Sequence, residues 1–271
     1  SAASDVYKRQ NKDGSLSFEN PRAFQGKGVT TWEGLIKSVR AKVKGTKVKI
    51  RLGASSGEWK AMVADEAART KFAKNIKTVL EKNKLDGIDL DFEWAENEKE
   101  YKDYSLAILK MREVLGDKYL FSVSLHPVCY KISKEAIEAV DFISLQCYGP
   151  SPVRFPIEKY CSDIQMVLEY GIPKEKLVAG VPFYGVTKDN SKKTEAYFNF
   201  VQNGLVTSPA QNEVIYQGDT YVFDGQDNIR IKTRYAKEQK LKGMMSWDLA
   251  TDLPLSDSRS LLKTMTEELR E

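Results

Sequence analysis

Histidine and cysteine are scarce in this 271-residue sequence, which has one histidine, His126, and three cysteines, Cys129, Cys147 and Cys161. A lone histidine leaves no polyhistidine metal centre, and Ser-His and Cys-His hydrolysis are set aside with it. An odd cysteine count with no C-x-x-C pair argues against a disulfide framework or a zinc site, so the three read as buried thiols. No run of about 18 apolar residues occurs, so no segment reads as a membrane-spanning helix. The net charge is +4 and the Lys and Arg residues are spread along the chain without a basic stripe, so nucleic acid is not an expected partner. A secretory signal is also missing. "SAASDVYKRQ" has neither an apolar core nor a period, and residues 1–10 read as a non-native leader outside the fold. No metal and no cofactor is expected, which leaves the chemistry to carboxylates, hydroxyls and amides.

What is present is a repeating order of strand and helix. Hydrophobic residues make up 41% and charged residues 30%, an ordinary globular balance. The length suits a single barrel domain over residues 11–271, since α/β barrels commonly occupy about 200–250 residues. Trp32, Leu35, Ile36, Val39 and Val43 recur at helical spacing, with Thr31 as N-cap and Gly45 as stop. "KVKIRLGAS" reads as a strand, followed by a helix over about 65–83 that puts Ala68, Phe72, Ile76, Val79 and Leu80 on one face. "DGIDLDFEW", "YLFSVSLHP", "DFISLQCYG", "KLVAGVPFYG" and "GMMSWDLATD" are further strands, with helices near 97–115, 133–139, 158–170, 229–239 and 257–269. This order implies a parallel sheet covered by helices, an α/β fold of TIM (β/α)8 type with six of the eight strands. The segment from Thr187 to Asp227 reads as a long decorated loop.

The strand "DGIDLDFEW" carries four acids. Side chains alternate along a strand, so Asp89, Asp91 and Glu93 share one face while Ile88, Leu90 and Phe92 share the other. Asp86 has the opposite parity and belongs to the strand's entry. Neighbours on one face stand about 6.6 Å apart. Carboxylates that close and partly desolvated do not all ionise easily, so one of them is expected to hold its proton above the usual range and serve as a general acid. Functional residues of parallel barrels gather at the C-terminal strand ends, which favours Glu93. A solvated acidic edge strand and a Mg²⁺ or Ca²⁺ site are the bland alternatives. The first conflicts with the apolar opposite face, and for the second no other acid cluster supplies oxygen ligands.

"DGIDLDFE" resembles the D-x-x-D-x-D-x-E signature of glycoside hydrolase family 18, the chitinase and endo-β-N-acetylglucosaminidase family. "LGASSGEW", "LQCYG", "GVPFYG" and "MMSWDLATD" are similar to that family's third, sixth, seventh and eighth strands. The resemblance implies that Glu93 protonates the glycosidic oxygen while the substrate's own 2-acetamido group attacks the anomeric carbon. Asp91 would then orient the acetamido nitrogen, Asp89 would share charge or a proton with Asp91, and Tyr148 would hydrogen-bond the acetamido oxygen. Trp247 would floor the sugar site, with core packing as the alternative for both aromatic residues. Gln146 shares the face of Tyr148 and is a further candidate for substrate binding. Trp59 and Trp94 are read as lining outer subsites or as packing, Phe183 and Tyr184 as core, and His126 as a bystander.

The implied activity is hydrolysis of β-1,4-linked N-acetylglucosamine in chitin or chitooligosaccharides, by a retaining mechanism. The alternatives are an endo-β-N-acetylglucosaminidase acting on N-glycan cores and a non-catalytic carbohydrate-binding protein. The expected partner is an N-acetylglucosamine-containing oligo- or polysaccharide, and the expected state is a monomer, secreted or in the cell envelope. Two departures stand out. Gly149 replaces an acid that many chitinases have after the sixth-strand tyrosine, and the segment between the seventh and eighth strands is too short for a large inserted domain, implying a shallow groove. Matched to the family, the six strands are the third through the eighth, so the first two are expected to be absent and the flanks of the third and eighth unpaired.

Overall fold

In the computed structural model, residues 8–17 and 31–271 are described. The chain divides into two compact units, Ser1–Ile143 and Ser144–Glu271. In the first unit the described elements are β1 (Lys8–Gln10), β2 (Leu16–Ser17), α1 (Trp32–Lys42), β3 (Arg51–Gly57), α2 (Trp59–Ala64), α3 (Glu66–Asn83), β4 (Gly87–Asp91), α4 (Glu98–Leu115), β5 (Leu120–Leu125) and α5 (Lys134–Ala139). β6 (Phe142–Leu145) runs across the boundary.

β3, β4 and β5 are parallel neighbours, with Gly53 level with Asp89 and Asp89 level with Ser122. Gly87 is needed at the start of β4, because a Cβ there would lie 2.0 Å from the Leu120 carbonyl oxygen. Asp86 secures the same entry: its carboxylate accepts from the Ile50 amide at 2.8 Å, and its own amide donates to the Ile50 carbonyl. The helix α3 begins where Asp65 caps the Ala68 amide at 2.7 Å and ends at Lys84, which is left-handed at φ 52°. It buries Ala68, Phe72, Ala73, Ile76 and Leu80, the stripe expected from spacing, while Val79 is only half-buried. Thr31 caps α1 as expected, accepting from the Gly34 amide at 3.1 Å.

Two differences from the sequence reading occur at the N-terminal side. Of the stretch set aside as a leader, residues 1–7 lie outside the described residues, but Lys8–Gln10 form β1. That strand runs parallel to β3 and antiparallel to β2, so β3 is not the open flank expected of it.

The second unit continues with α6 (Ile157–Tyr170), β7 (Leu177–Pro182), β8 (Tyr184–Thr187), β9 (Thr194–Ala196), α7 (Tyr197–Gln202), β10 (Glu213–Tyr216), β11 (Asp219–Val222), α8 (Gln226–Glu238), β12 (Gly243–Trp247) and α9 (Leu261–Arg270). β7 and β12 are parallel, Gly243 level with Val178 through Trp247 level with Pro182. All six strands expected from sequence exist, in the strand-then-helix order of a TIM-type α/β fold. The segment read as a decorated loop is instead folded. β10, β11, β8 and β9 form a four-stranded antiparallel sheet, and Phe200 of α7 packs against Tyr221 and Phe223 at 5.4 Å.

Candidate active site

In the first unit the acidic strand carries its two faces as alternation requires. Ile88, Leu90 and Phe92 are buried. Phe92 stacks on Trp59 (5.4 Å between centroids, 14° between planes) and meets Tyr104 at 5.3 Å and Phe72 at 6.0 Å. Such pairs add about 0.5–1.5 kcal/mol each beyond area burial, which anchors the end of β4 in the core.

On the opposite face Asp89, at 13% side-chain exposure, and Asp91 are both half-buried, and only Glu93, two residues past the end of β4, is exposed. The desolvation expected for the whole row therefore does not extend to Glu93. Asp89 is held by three groups from the flanking strands. Ser124 donates to Oδ2 at 2.7 Å, Ser122 donates to Oδ1, and the Arg51 guanidinium stands 3.8 Å from Oδ1 while also donating to the Ser122 hydroxyl. Arg51 is itself buried and lies over the Phe142 ring at 4.7 Å. Level with Asp91 on β3 is Ser55, whose hydroxyl is buried and has no hydrogen-bond partner among the described residues. Beneath the row, Tyr104 donates to the Leu90 carbonyl at 3.3 Å. Burial, reinforced by the nearby charges of Asp89 and Asp91, pushes its phenol well above the usual tyrosine range.

The residues after Glu93 are fixed by side chains that sequence reading did not assign. Trp59 is 3% exposed, so it is packing and not a sugar contact, and its indole N–H donates to the Glu93 carbonyl at 3.1 Å. Trp94 is exposed, with its ring 4.8 Å from that of His126. The Ala95 amide donates to the Cys129 sulfur at 3.0 Å. The Glu93–Trp94 and Trp247–Asp248 peptides are cis.

In the second unit Tyr148 and Gln146 are buried just beyond β6, and Trp247 ends β12 half-buried. The Tyr148 hydroxyl reaches the Met245 sulfur at 3.6 Å, and Met245 shares a face of β12 with Trp247. Gly180 on β7 leaves the space that Tyr148 uses, since a Cβ there would stand 2.9 Å from the tyrosine ring. Tyr184, expected as core, is half-buried; it meets Tyr148 edge-on at 6.4 Å and donates to the Gly149 carbonyl at 3.3 Å. Of the cysteines, Cys129 and Cys147 are buried as expected and Cys161 is only half-buried. Burial pushes the Cys147 thiol well above the usual range, with the Asp163 carboxylate adding to the effect.

Within the first unit, a parallel strand whose C-terminal end carries a row of carboxylates is the arrangement in which α/β barrel enzymes place their functional residues. Residues 7–252 match Glycosyl hydrolases family 18, and the chain belongs to that family. "Probable chitinase 2" of Drosophila melanogaster is 23% identical over 76% of this chain and 56% of its own length. The chain thus spans little more than half of that relative. Among solved structures, a chitinase from Bacteroides thetaiotaomicron aligns with a TM-score of 0.81 at 21% identity, covering 97% of this chain and 86% of that one. A class V chitinase from Nicotiana tobaccum in complex with NAG4 aligns with a TM-score of 0.76 at 17% identity, covering 97% of this chain and 90% of the other.

Proposed function

We propose that the chain is a chitinase that cleaves β-1,4-linked N-acetylglucosamine with retention, assisted by the substrate's 2-acetamido group. The observation that carries this reading is the row of Asp89, Asp91 and Glu93 at the C-terminal end of β4, half-buried at the first two and exposed at the last. Glu93 is exposed where a glycosidic oxygen can reach it, and its proton passes to that oxygen as the C–O bond breaks. The acetamido oxygen attacks the anomeric carbon, forming a cyclic oxazolinium ion, so no enzyme nucleophile is required. Asp91 holds the acetamido N–H and offsets the charge on the ring. Asp89 is fixed by Ser122, Ser124 and Arg51, and from that fixed place it orients Asp91. Tyr148 donates to the acetamido oxygen and Trp247 receives the apolar face of the sugar. Water, giving a proton to the Glu93 carboxylate, then attacks the anomeric carbon from the β face that the leaving sugar vacated, displacing the acetamido oxygen and restoring the β configuration. The relatives named as chitinases, and the NAG4 complex of one of them, support a chitooligosaccharide as substrate.

The test is NMR of the first products from chitotetraose or longer oligomers. The β-anomer should form first, and a thiazoline analogue of the cyclic intermediate should inhibit. A first-formed α-anomer, or equal cleavage of substrate lacking the N-acetyl group at the scissile sugar, would reject the mechanism.

A further inference from the structure

Glu93 stands two residues beyond the last ladder residue of β4, and residues 92–96 belong to no helix or strand. Backbone ladders therefore do not fix where its carboxyl stands. Contacts along this segment contribute instead: the Trp59 indole holds the Glu93 carbonyl, and two contacts to the residues that follow come from one short turn. We infer that the turn His126–Cys129, which follows β5, is a positioning element for Glu93, acting through the two residues after it, with His126 and Cys129 as positioning residues. The inference rests on the reading of Glu93 as the general acid.

The turn is closed at both ends by backbone bonds: the Cys129 amide donates to the His126 carbonyl at 2.7 Å, and the His126 amide to the Cys129 carbonyl at 3.4 Å. Inside it the Val128 amide donates to His126 Nδ1 at 3.2 Å, which sets the plane of the ring. His126 and Cys129 are both buried. From this frame the imidazole backs the Trp94 indole and the sulfur accepts the Ala95 amide, so the two residues following Glu93 are gripped in succession. Burial also raises the Cys129 thiol above its usual range, so it stays protonated, an acceptor for the amide and a poor nucleophile. Ala95 is buried as well, so without the sulfur its N–H has no replacement from bulk water. A general acid must lie within hydrogen-bond reach of the atom it protonates, and a misplacement of about 1 Å costs on the order of 100-fold in rate.

The experiment measures kcat, KM and the pH–rate profile on chitooligosaccharides for Cys129→Ala, Cys129→Ser, His126→Ala and His126→Phe, each checked by thermal melting. Cys129→Ala and His126→Ala should each lower kcat by about 10- to 100-fold with little change in KM, and should move the alkaline limb of the profile. Serine, which keeps an acceptor, and phenylalanine, which keeps a ring, should recover part of the loss. If an alanine variant does not fold, the serine and phenylalanine variants decide the matter. They should fall below wild type by about threefold or more, and wild-type kcat in both overturns the inference. So do a lower melting temperature alone and an unmoved pH limb in the folded alanine variants. Glu93→Gln serves as the reference. Its inactivity alongside fully active turn variants defeats this inference only, whereas full activity in Glu93→Gln defeats the parent reading and this one with it.

Discussion

Three carboxylates on one strand face meet three different surroundings, and the chemistry follows from the difference. Asp89 is enclosed by two serine hydroxyls and an arginine, Asp91 is half-buried and Glu93 meets solvent. Glu93 is the exposed member of the row and its proposed proton donor, so removing its acidity should stop turnover without removing the binding surface. Glu93→Gln is expected to lose about 10²- to 10⁴-fold in kcat with oligosaccharide affinity largely kept, measured by steady-state kinetics and calorimetric titration. Equal losses in affinity would show that Glu93 binds and does not catalyse. The acids themselves were legible in sequence, because spacing on a strand sets their common face. Their supports were legible only in part. Ser122 and Ser124 lie at alternate positions of "SVS", and Arg51 interrupts an apolar run, but which acid they serve depends on the register between strands. Trp59, His126 and Cys129 left no local signal, since each acts on the backbone or ring of a residue more than thirty positions away.

Between elements, the second unit holds an ion pair wholly out of water. Lys232 of α8 donates to both carboxylate oxygens of Asp224, at 2.8 and 2.6 Å, and to the Phe155 carbonyl at 2.9 Å, with neither charged side chain exposed. A buried pair adds little net stability over apolar replacements, but breaking it strands one charge. Lys232→Met should therefore cost about 3–5 kcal/mol in urea unfolding, and Lys232→Met combined with Asp224→Leu should cost less than the single change. A double variant weaker than the single would argue that the pair is net stabilising. Nothing in the sequence marked this pair, because an i, i+8 spacing on and before a helix is ordinary. The small antiparallel sheet carries no sequence signature for a related reason. Its strands have three or four residues, and β10 is half-exposed or exposed at all but Val214, so no alternation long enough to read exists. The long helices were legible because a stripe over four or five turns repeats its signal, as in α3 and α4.

At the scale of the whole chain, the family match runs over residues 7–252, from β1 through most of the second compact unit, and ends before α9. The six strands of the parallel order were legible from apolar runs bounded by turns, while β1 and β2, three and two residues long, were not. Strands of equal hydrophobicity can still be secured very differently. β4 is flanked on both sides, by β3 and by β5, whereas β12 takes β7 as its one ladder partner among the described residues and is half-exposed at all five positions. Successive amides along a strand point to opposite sides, so one ladder partner can engage only every second one. Hydrogen–deuterium exchange resolved to single amides should accordingly show two behaviours. Along Gly87–Leu90 protection should be uniform, while along Gly243–Ser246 slow and fast amides should alternate with a period of two. Uniform protection of Gly243–Ser246 would mean that a second strand covers that edge in solution. The alternation would instead mark β12 as the strand that opens first, carrying with it the backbone on which Trp247 is mounted.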